Sequence, residues 1–283
     1  MLKASKCLLL LCALTTPTAA QTIKIMSSSK DTGLEPTVLK IALERMGKSY
    51  SFPYEKDADI SQSRTENDVK TGELDFMWAM TSERLEKEFE PVYFPVFRGI
   101  LGMRLSIVKA NQKDILSSVE NLNDLKRFVP GQGKTWADTM ILESNGLHVT
   151  KSHKYPNLFF MLEGERFDYF PRGLFEPWAE VDKYPQLNLT VDPHILIRYT
   201  APMYFFTRKG NEELAQALFK ELESMALSGE YKSLFYADDE VKQGIEKSNL
   251  KDRTMIQLEN PYLTEKTPLE RTEFWYQLGE VPH

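Results

Sequence analysis

Cysteine is nearly absent: of 283 residues only Cys7 and Cys12 carry a thiol, and both precede residue 21. Beyond that point disulfides, thiolate nucleophiles and cysteine-based metal sites are excluded. Histidine is almost as scarce. His148, His153, His194 and His283 are the full set, and His148 and His153 fall at a strand edge instead of along one helix face. No metal site and no cofactor is therefore expected. The chain also lacks a Gly-x-Ser-x-Gly turn, a phosphate-binding loop and a dinucleotide fingerprint, so no catalytic residue is assigned. Long apolar runs are missing too. The longest, Leu8–Leu14, is far short of the roughly 20 residues that span a bilayer, and no stable membrane insertion is expected. Basic excess is absent as well: the net charge is −6, which gives no general affinity for nucleic acid or an anionic membrane surface.

What the N-terminus does have is an ordered pattern. Lys3 and Lys6 precede the apolar run Leu8-Leu9-Leu10-Leu11-Cys12-Ala13-Leu14, and Thr18-Ala19-Ala20 then supplies small residues before Gln21. That order is the order of a secretory signal peptide. Residues 1–20 are expected to be removed, leaving a periplasmic chain that starts near Gln21. An uncleaved anchor is the alternative. A lipoprotein signal at Cys12 is disfavoured by bulky Leu11, where a small residue is usual. Loss of Lys3 and Lys6 makes the exported chain more acidic by two charges. Without disulfides it must rely on a large core, which a composition of 42% apolar residues can supply.

Downstream, short apolar strands alternate with amphipathic helices, the rhythm of layered α/β folds. Strands are expected over Thr22–Ser27, Ser49–Phe52, Asp75–Ala79, Phe128–Gly133, Val149–Ser152, Phe167–Phe170 and Met203–Arg208. Helices are expected with Pro36 near the first turn and ending at Gly47, from Ser63 to Gly72, over Thr135–Asn145, Asn157–Leu162 and Leu174–Val181, and from an Asn211 cap to Leu227. Residues from Gly229 on read as shorter helices and irregular tail. Two extended segments, Ile100–Val108 and Ile195–Thr200, bracket about ninety residues and read as two crossings between lobes. The expected organisation is lobe one from 21–105 and 200–283, with the tail, and lobe two from 106–199. Strand ends facing each other across such lobes make one cleft, and a hinge closes it.

Several strings in this order resemble the extracellular solute-binding proteins of family 3, the amino-acid type with the type II periplasmic-binding fold. They are Gly72-Glu73-Leu74-Asp75, Thr81-Ser82-Glu83-Arg84, Phe89-Glu90-Pro91-Val92-Tyr93, Leu122-Asn123-Asp124-Leu125-Lys126, Gly131-Gln132-Gly133-Lys134-Thr135 and Gly164-Glu165-Arg166-Phe167-Asp168. No single string is specific; their order over nearly the whole exported chain is what resembles the family. The resemblance implies a binder of a small polar, carboxylated, amino-acid-like solute, with an ABC permease as partner and a monomer as the working form. It implies that Arg84 and Thr81 grip a carboxylate, as a planar guanidinium can, and that Thr135 assists. The alternative for Arg84 is a surface residue near a helix start, paired with Glu86, Glu88 or nothing. Thr135 and Asp138 also have the spacing of a capping box. Trp136, at a helix start, and Trp78, at a strand end, are each a ligand wall or packing.

The departures matter. Family members place an Asp after the strand that here ends Asp168-Tyr169-Phe170, where it holds the ligand ammonium; this chain reads Pro171-Arg172-Gly173, with Glu176 a turn on. Arg172 and Glu176 therefore either read the ligand's distal end or pair with each other at i, i+4. Arg104, in an otherwise apolar segment, needs a partner, because an unpaired buried charge is costly. It serves the ligand or braces the hinge. Two further readings stay open: a sensing subunit for a membrane receptor, and a cyclohexadienyl-dehydratase-like enzyme with Glu176 as general acid.

Overall fold

The computed structural model describes residues 22–56 and 60–280. The expected leader over residues 1–20, with Cys7 and Cys12, as well as Gln21 and His283, lies outside them. The chain opens with β1 (Ile23–Lys24), α1 (Leu34–Arg45), β2 (Tyr50–Ser51), α2 (Gln62–Thr71), β3 (Met77–Met80), α3 (Glu83–Glu88) and β4 (Phe89–Val92). The middle holds β5 (Met103–Lys109), α4 (Leu122–Leu125), β6 (Gly131–Gly133), α5 (Ala137–Ser144), β7 (Thr150–Ser152), α6 (Tyr155–Glu163), β8 (Phe170–Gly173), α7 (Pro177–Lys183), β9 (Leu189–Val191) and β10 (Ile195–Arg198). The last part is β11 (Met203–Arg208), α8 (Glu212–Leu227), α9 (Glu230–Ala237), α10 (Asp239–Ser248) and β12 (Thr254–Gln257). Among the described residues no helix is long and apolar enough to cross a membrane.

Local sequence accounts for most of these limits. In α1 the residues Val38, Leu39, Ala42 and Leu43 fall on one face and are fully buried. Ser61 caps α2 by accepting from the Arg64 amide at 3.3 Å, and Gly72 ends it in the left-handed region at φ 81°. In α8 the buried Ala215, Leu218, Leu222 and Met225 follow the helical repeat. Three expectations shift. The extended segment expected from Ile100 opens with a 3-10 turn over Ile100–Gly102, and its strand begins only at Met103. The strand expected to end at Phe170 begins there, because Phe170–Gly173 pairs antiparallel with Arg104–Ile107. The following helix starts at Pro177 instead of Leu174, since a proline fits the first helical turn and needs no amide partner. Leu174-Phe175-Glu176 becomes the connection.

Two sheets result. In the first, β2 pairs β1, a bridge from Ile25 to Phe76 continues to β3, and β11 lies between β3 and β4. In the second, β7 pairs β6, a bridge from Pro130 to Tyr169 leads to β8, and β5 follows. β10 and β9 pair successive parts of the far edge of β5, and β12 adds outside β10. Helices α1, α8 and α9 pack on the first sheet around Val38, Phe94, Leu218, Leu222 and Phe235. The second sheet is covered by α6 on one side, through Phe159 and Leu162, and by the Val108, Leu142 and Tyr169 cluster on the other. The sheets meet where β5 and β10 run together. A Cβ on Gly102 would lie 2.0 Å from the Tyr199 carbonyl oxygen, so only glycine lets these segments approach so closely.

One packing choice carries a charge cost. Glu35, in the first turn of α1, sits with Asp31, Asp238 and Glu240 around it. Burial above all, with those three carboxylates, pushes its pKa up to about 8 against the lowering effect of a backbone hydrogen bond. Between the ordinary carboxyl range and pH 8 the folded protein therefore holds a proton that the unfolded chain has lost, and stability falls as pH rises through that window. Glu35→Gln should raise the urea midpoint at about pH 8 and leave it nearly unchanged at about pH 4. An equal effect at both pH values would contradict this account.

Candidate functional site

A cleft of about 830 Å³ lies between the two sheets, lined by residues from both. The strand ends and helix starts supply its polar groups: Thr81 and Arg84 after β3, Thr135, Trp136 and Asp138 before and within α5, Arg172 in β8 and Glu176 ahead of α7. All eight residues singled out from sequence line it, namely Trp78, Thr81, Arg84, Arg104, Thr135, Trp136, Arg172 and Glu176. They do not all do the same thing there.

Arg104 lies deepest. It sits near the start of β5, opposite Gly173 on one side and Ile197 on the other, and is 2% exposed. Its guanidinium pairs with Asp138, donates to the Tyr199 hydroxyl at 3.0 Å and reaches Glu176 at 3.5 Å. Tyr199 in turn donates to Asp138. Burial alone would lower the pKa of this guanidinium, but Asp138, then Tyr199 and Glu176, more than offset that and hold it above its ordinary value. Burial raises the Tyr199 phenol well above its usual range, so it stays a donor.

A second guanidinium, Arg172, is enclosed in an aromatic box. Its carbon lies 5.1 Å from the Trp136 ring, 5.1 Å from Phe170 and 5.4 Å from Tyr155. Its Nε donates to both oxygens of Glu180, at 2.9 and 2.8 Å, and its Nη2 to Glu176 at 2.8 Å. Tyr155 donates to the same Glu180. Burial raises the Glu180 pKa, with Arg172 opposing it. The i, i+4 pairing of Arg172 with Glu176 is thus present, but Glu180, one turn further, takes the larger share. Trp136 can lie against β6 because a Cβ on Gly133 would come within 2.5 Å of its indole.

The opposite wall is built differently. Thr81 is buried, donates its hydroxyl to Glu86 at 2.6 Å, and is held by a 2.9 Å bond from its amide to the Pro202 carbonyl. Trp78 meets Phe205 edge-on at 6.1 Å and is half-buried. Arg84 stands at the rim with its side chain 50% exposed; it makes two bonds to Glu66, at 2.9 and 2.8 Å, and one to Glu88 at 3.3 Å. Pairing with Glu88 was one of the alternatives for it. Glu66 was not.

The expected capping box is absent. Trp136 occupies the N-cap of α5, no side chain caps the helix, and Asp138 turns to Arg104. A buried guanidinium outcompetes a backbone amide for a carboxylate, because its charge costs far more to leave unpaired. Asp138, Glu180, Tyr155, Tyr199, Asn260 and Tyr262 belong to the cleft or its support, and sequence reading missed them. For Asp138 and Glu180 a signal existed, since two buried arginines demand acids. Asn260 and Tyr262 gave none, lying in a stretch without periodicity.

Glu180→Gln should destabilise the protein by roughly 3–5 kcal/mol in urea unfolding, because it leaves Arg172 buried without its paired charge. Arg84→Ala, at the rim, should cost no more than about 1 kcal/mol. Comparable losses for the two would remove the distinction between the buried and the rim arginine.

No protein-family model matches the chain, and no curated protein matches it in sequence. Solved structures do match. An ancestral arginine-binding protein bound to arginine is 19% identical at TM-score 0.56, with 77% of this chain and 98% of that one covered. The GluR0 ligand-binding core in complex with L-glutamate is 16% identical at TM-score 0.57, covering 78% and 99%. A histidine kinase sensor domain with similarity to periplasmic binding proteins is 13% identical at TM-score 0.56, covering 78% and 96%. Identities this low carry the fold alone. With its two sheets, the strands between them and the cleft they enclose, the chain has the two-lobe α/β fold of the periplasmic binding proteins.

Proposed function

We propose that this is a periplasmic solute-binding protein that captures a small carboxylated, amino-acid-like solute between its lobes for an ABC-type permease. The observation that carries the reading is the buried Arg104 on the wall of an 830 Å³ cleft, with acids and hydroxyls converging beside it. Its contact to Glu176, at 3.5 Å, is its loosest charged one. A ligand carboxylate arriving there gains a short charge-assisted bond, and Thr81 offers a hydroxyl from the opposite wall. Glu176 and Asp138 then face the ammonium, while Trp78, Met140 and Trp136 take apolar surface. Arg84, held by Glu66 and Glu88, guards the rim, and the anchoring role passes to Arg104. Thr135, exposed ahead of α5, contributes at the mouth.

Two of the similar structures support the class of ligand: one is bound to arginine, the other to L-glutamate. The lobes in this reading are residues 22–105 with 200 onward, and 106–199, hinged at β5 and β10. An enzymatic role through Glu176 is less well supported, since that carboxylate already accepts from Arg172, the Gly173 amide and Arg104. A sensing role uses the same cleft physics, and the histidine kinase neighbour favours keeping it as the second reading.

The test is a thermal-shift panel of amino acids, dicarboxylates, amines and sugars on the chain from Gln21. A ligand at a hundredfold excess over its dissociation constant adds about 2.7 kcal/mol, a rise on the order of 5–10 °C at this size. Arg104→Met should weaken the best hit by about 2–5 kcal/mol in calorimetric titration. A hit whose affinity is unmoved by Arg104→Met removes Arg104 from the site, and silence across the panel removes the small-solute reading.

A further inference from the structure

The end of the chain passes through the cleft. After α10 the chain turns back to β12, which pairs parallel with β10 and so joins the second sheet at the hinge. The Leu258 amide then donates to the Arg198 carbonyl at 2.8 Å. Glu259 exchanges two backbone bonds with the Asn145 side chain, 2.7 and 3.1 Å, and Asn145 closes α5, the helix that carries Asp138. Asn260 bonds the Thr200 carbonyl at 2.9 Å with its amide and accepts from the Tyr262 amide at 3.0 Å with its oxygen. That turn sets Tyr262 on the cleft wall, where it packs against the apolar cluster of the second sheet. Its hydroxyl has no hydrogen-bond partner among the described residues.

Two residues later the same segment is fastened to the other lobe. The Thr264 hydroxyl donates at 2.8 Å to Glu86, a buried carboxylate that also accepts from Tyr93 at 2.8 Å and from Thr81 at 2.6 Å. Beyond it, Phe274 and Tyr276 sit in the core of lobe one, and Arg98 pairs with Glu280 at 2.8 Å. The stretch from Leu258 to Thr264 is therefore held by lobe two at one end and lobe one at the other, with a tyrosine facing the cavity between.

We propose that residues 258–264 form a strap across the cleft in which Tyr262 contacts the bound solute, Asn260 positions it, and the Asn145 and Thr264 bonds tie the two lobes. The ligand-contact half rests on the solute-binding reading above. A segment already tied at both ends loses little further freedom when a ligand orders it, so its tyrosine can be a strong and selective contact. Glu86 makes the strap sensitive to occupancy, because a ligand that takes the Thr81 hydroxyl withdraws one of the three donors that hold the carboxylate to which Thr264 is tied.

The experiment has two arms. In the first, the panel of L-amino acids and dicarboxylates is run on the wild-type chain from Gln21, Tyr262→Ala, Tyr262→Phe and Asn260→Ala. Tyr262→Ala should weaken the hits by about tenfold or more and change their rank order, with Tyr262→Phe retaining the rank of ligands that touch only the ring. Asn260→Ala should shift affinity in the same direction while Asn260→Asp, which keeps the acceptor, recovers part of it. Unchanged affinity and rank in Tyr262→Ala overturn the contact. In the second arm no ligand is needed. Spin labels at Gln216→Cys and Asn157→Cys, exposed sites on α8 and α6, are the sole thiols after residue 20. Pulsed EPR then compares the interlobe distance with and without Asn145→Ala and Thr264→Val. Cutting both ties should lengthen or broaden the distribution by on the order of 2 Å or more, and an identical distribution overturns the strap. If no panel compound binds wild type, the solute-binding reading and the Tyr262 contact fail together, while the distance arm still decides the tie.

Discussion

A guanidinium only 2% exposed, beside Leu105 and opposite Ile197, has to be neutralised by the fold itself, since little water reaches it. Arg104 makes that demand at the point where the two lobes share strands. Asp138 answers from the start of α5, Tyr199 from just beyond β10, and Glu176 from the loop ahead of α7. Even the sulfur of Met80, on the opposite lobe, lies 3.9 Å from it. The position of three elements of lobe two is thereby set by one charge, because leaving any buried ion unpaired costs several kcal/mol.

Around that centre the charges are arranged to be rigid. Arg172 uses its fork on Glu180 and Glu176 and its faces on Trp136, Tyr155 and Phe170, so few of its rotamers survive. Tyr155 locks Glu180 from behind. A wall built this way presents a fixed pattern of donors and acceptors to the cleft and pays its ordering entropy on folding, not on binding. The lobe-one wall is sparser, with Thr81, Trp78 and an Arg84 that is already spoken for at the rim.

The C-terminal segment ties together the two sides of the cleft. β12 runs beside β10, and further along Thr264 bonds Glu86 behind the opposite wall. Glu86 is thus bonded to the cleft through Thr81 and to the tail through Thr264.

The alternation of strand and helix was legible in the sequence because it is a local pattern of apolar period and caps. So was the need of Arg104 for an acid. The partners were not. Asp138 reads locally as a cap, and only the approach of β5 to α5 offers it a guanidinium instead. Glu180 is one helical turn too far from Arg172 for spacing alone to prefer it to Glu176; the aromatic box decides which way the arginine points. Tyr262 and Asn260 lie in a stretch with no periodicity at all. Most helices, the α/β class and the charges costly to bury follow from neighbours along the chain, and so could be read from it. Which groups neutralise those charges, and how the tail reaches the cleft, depend on residues brought together from distant parts of the chain, which no local pattern encodes.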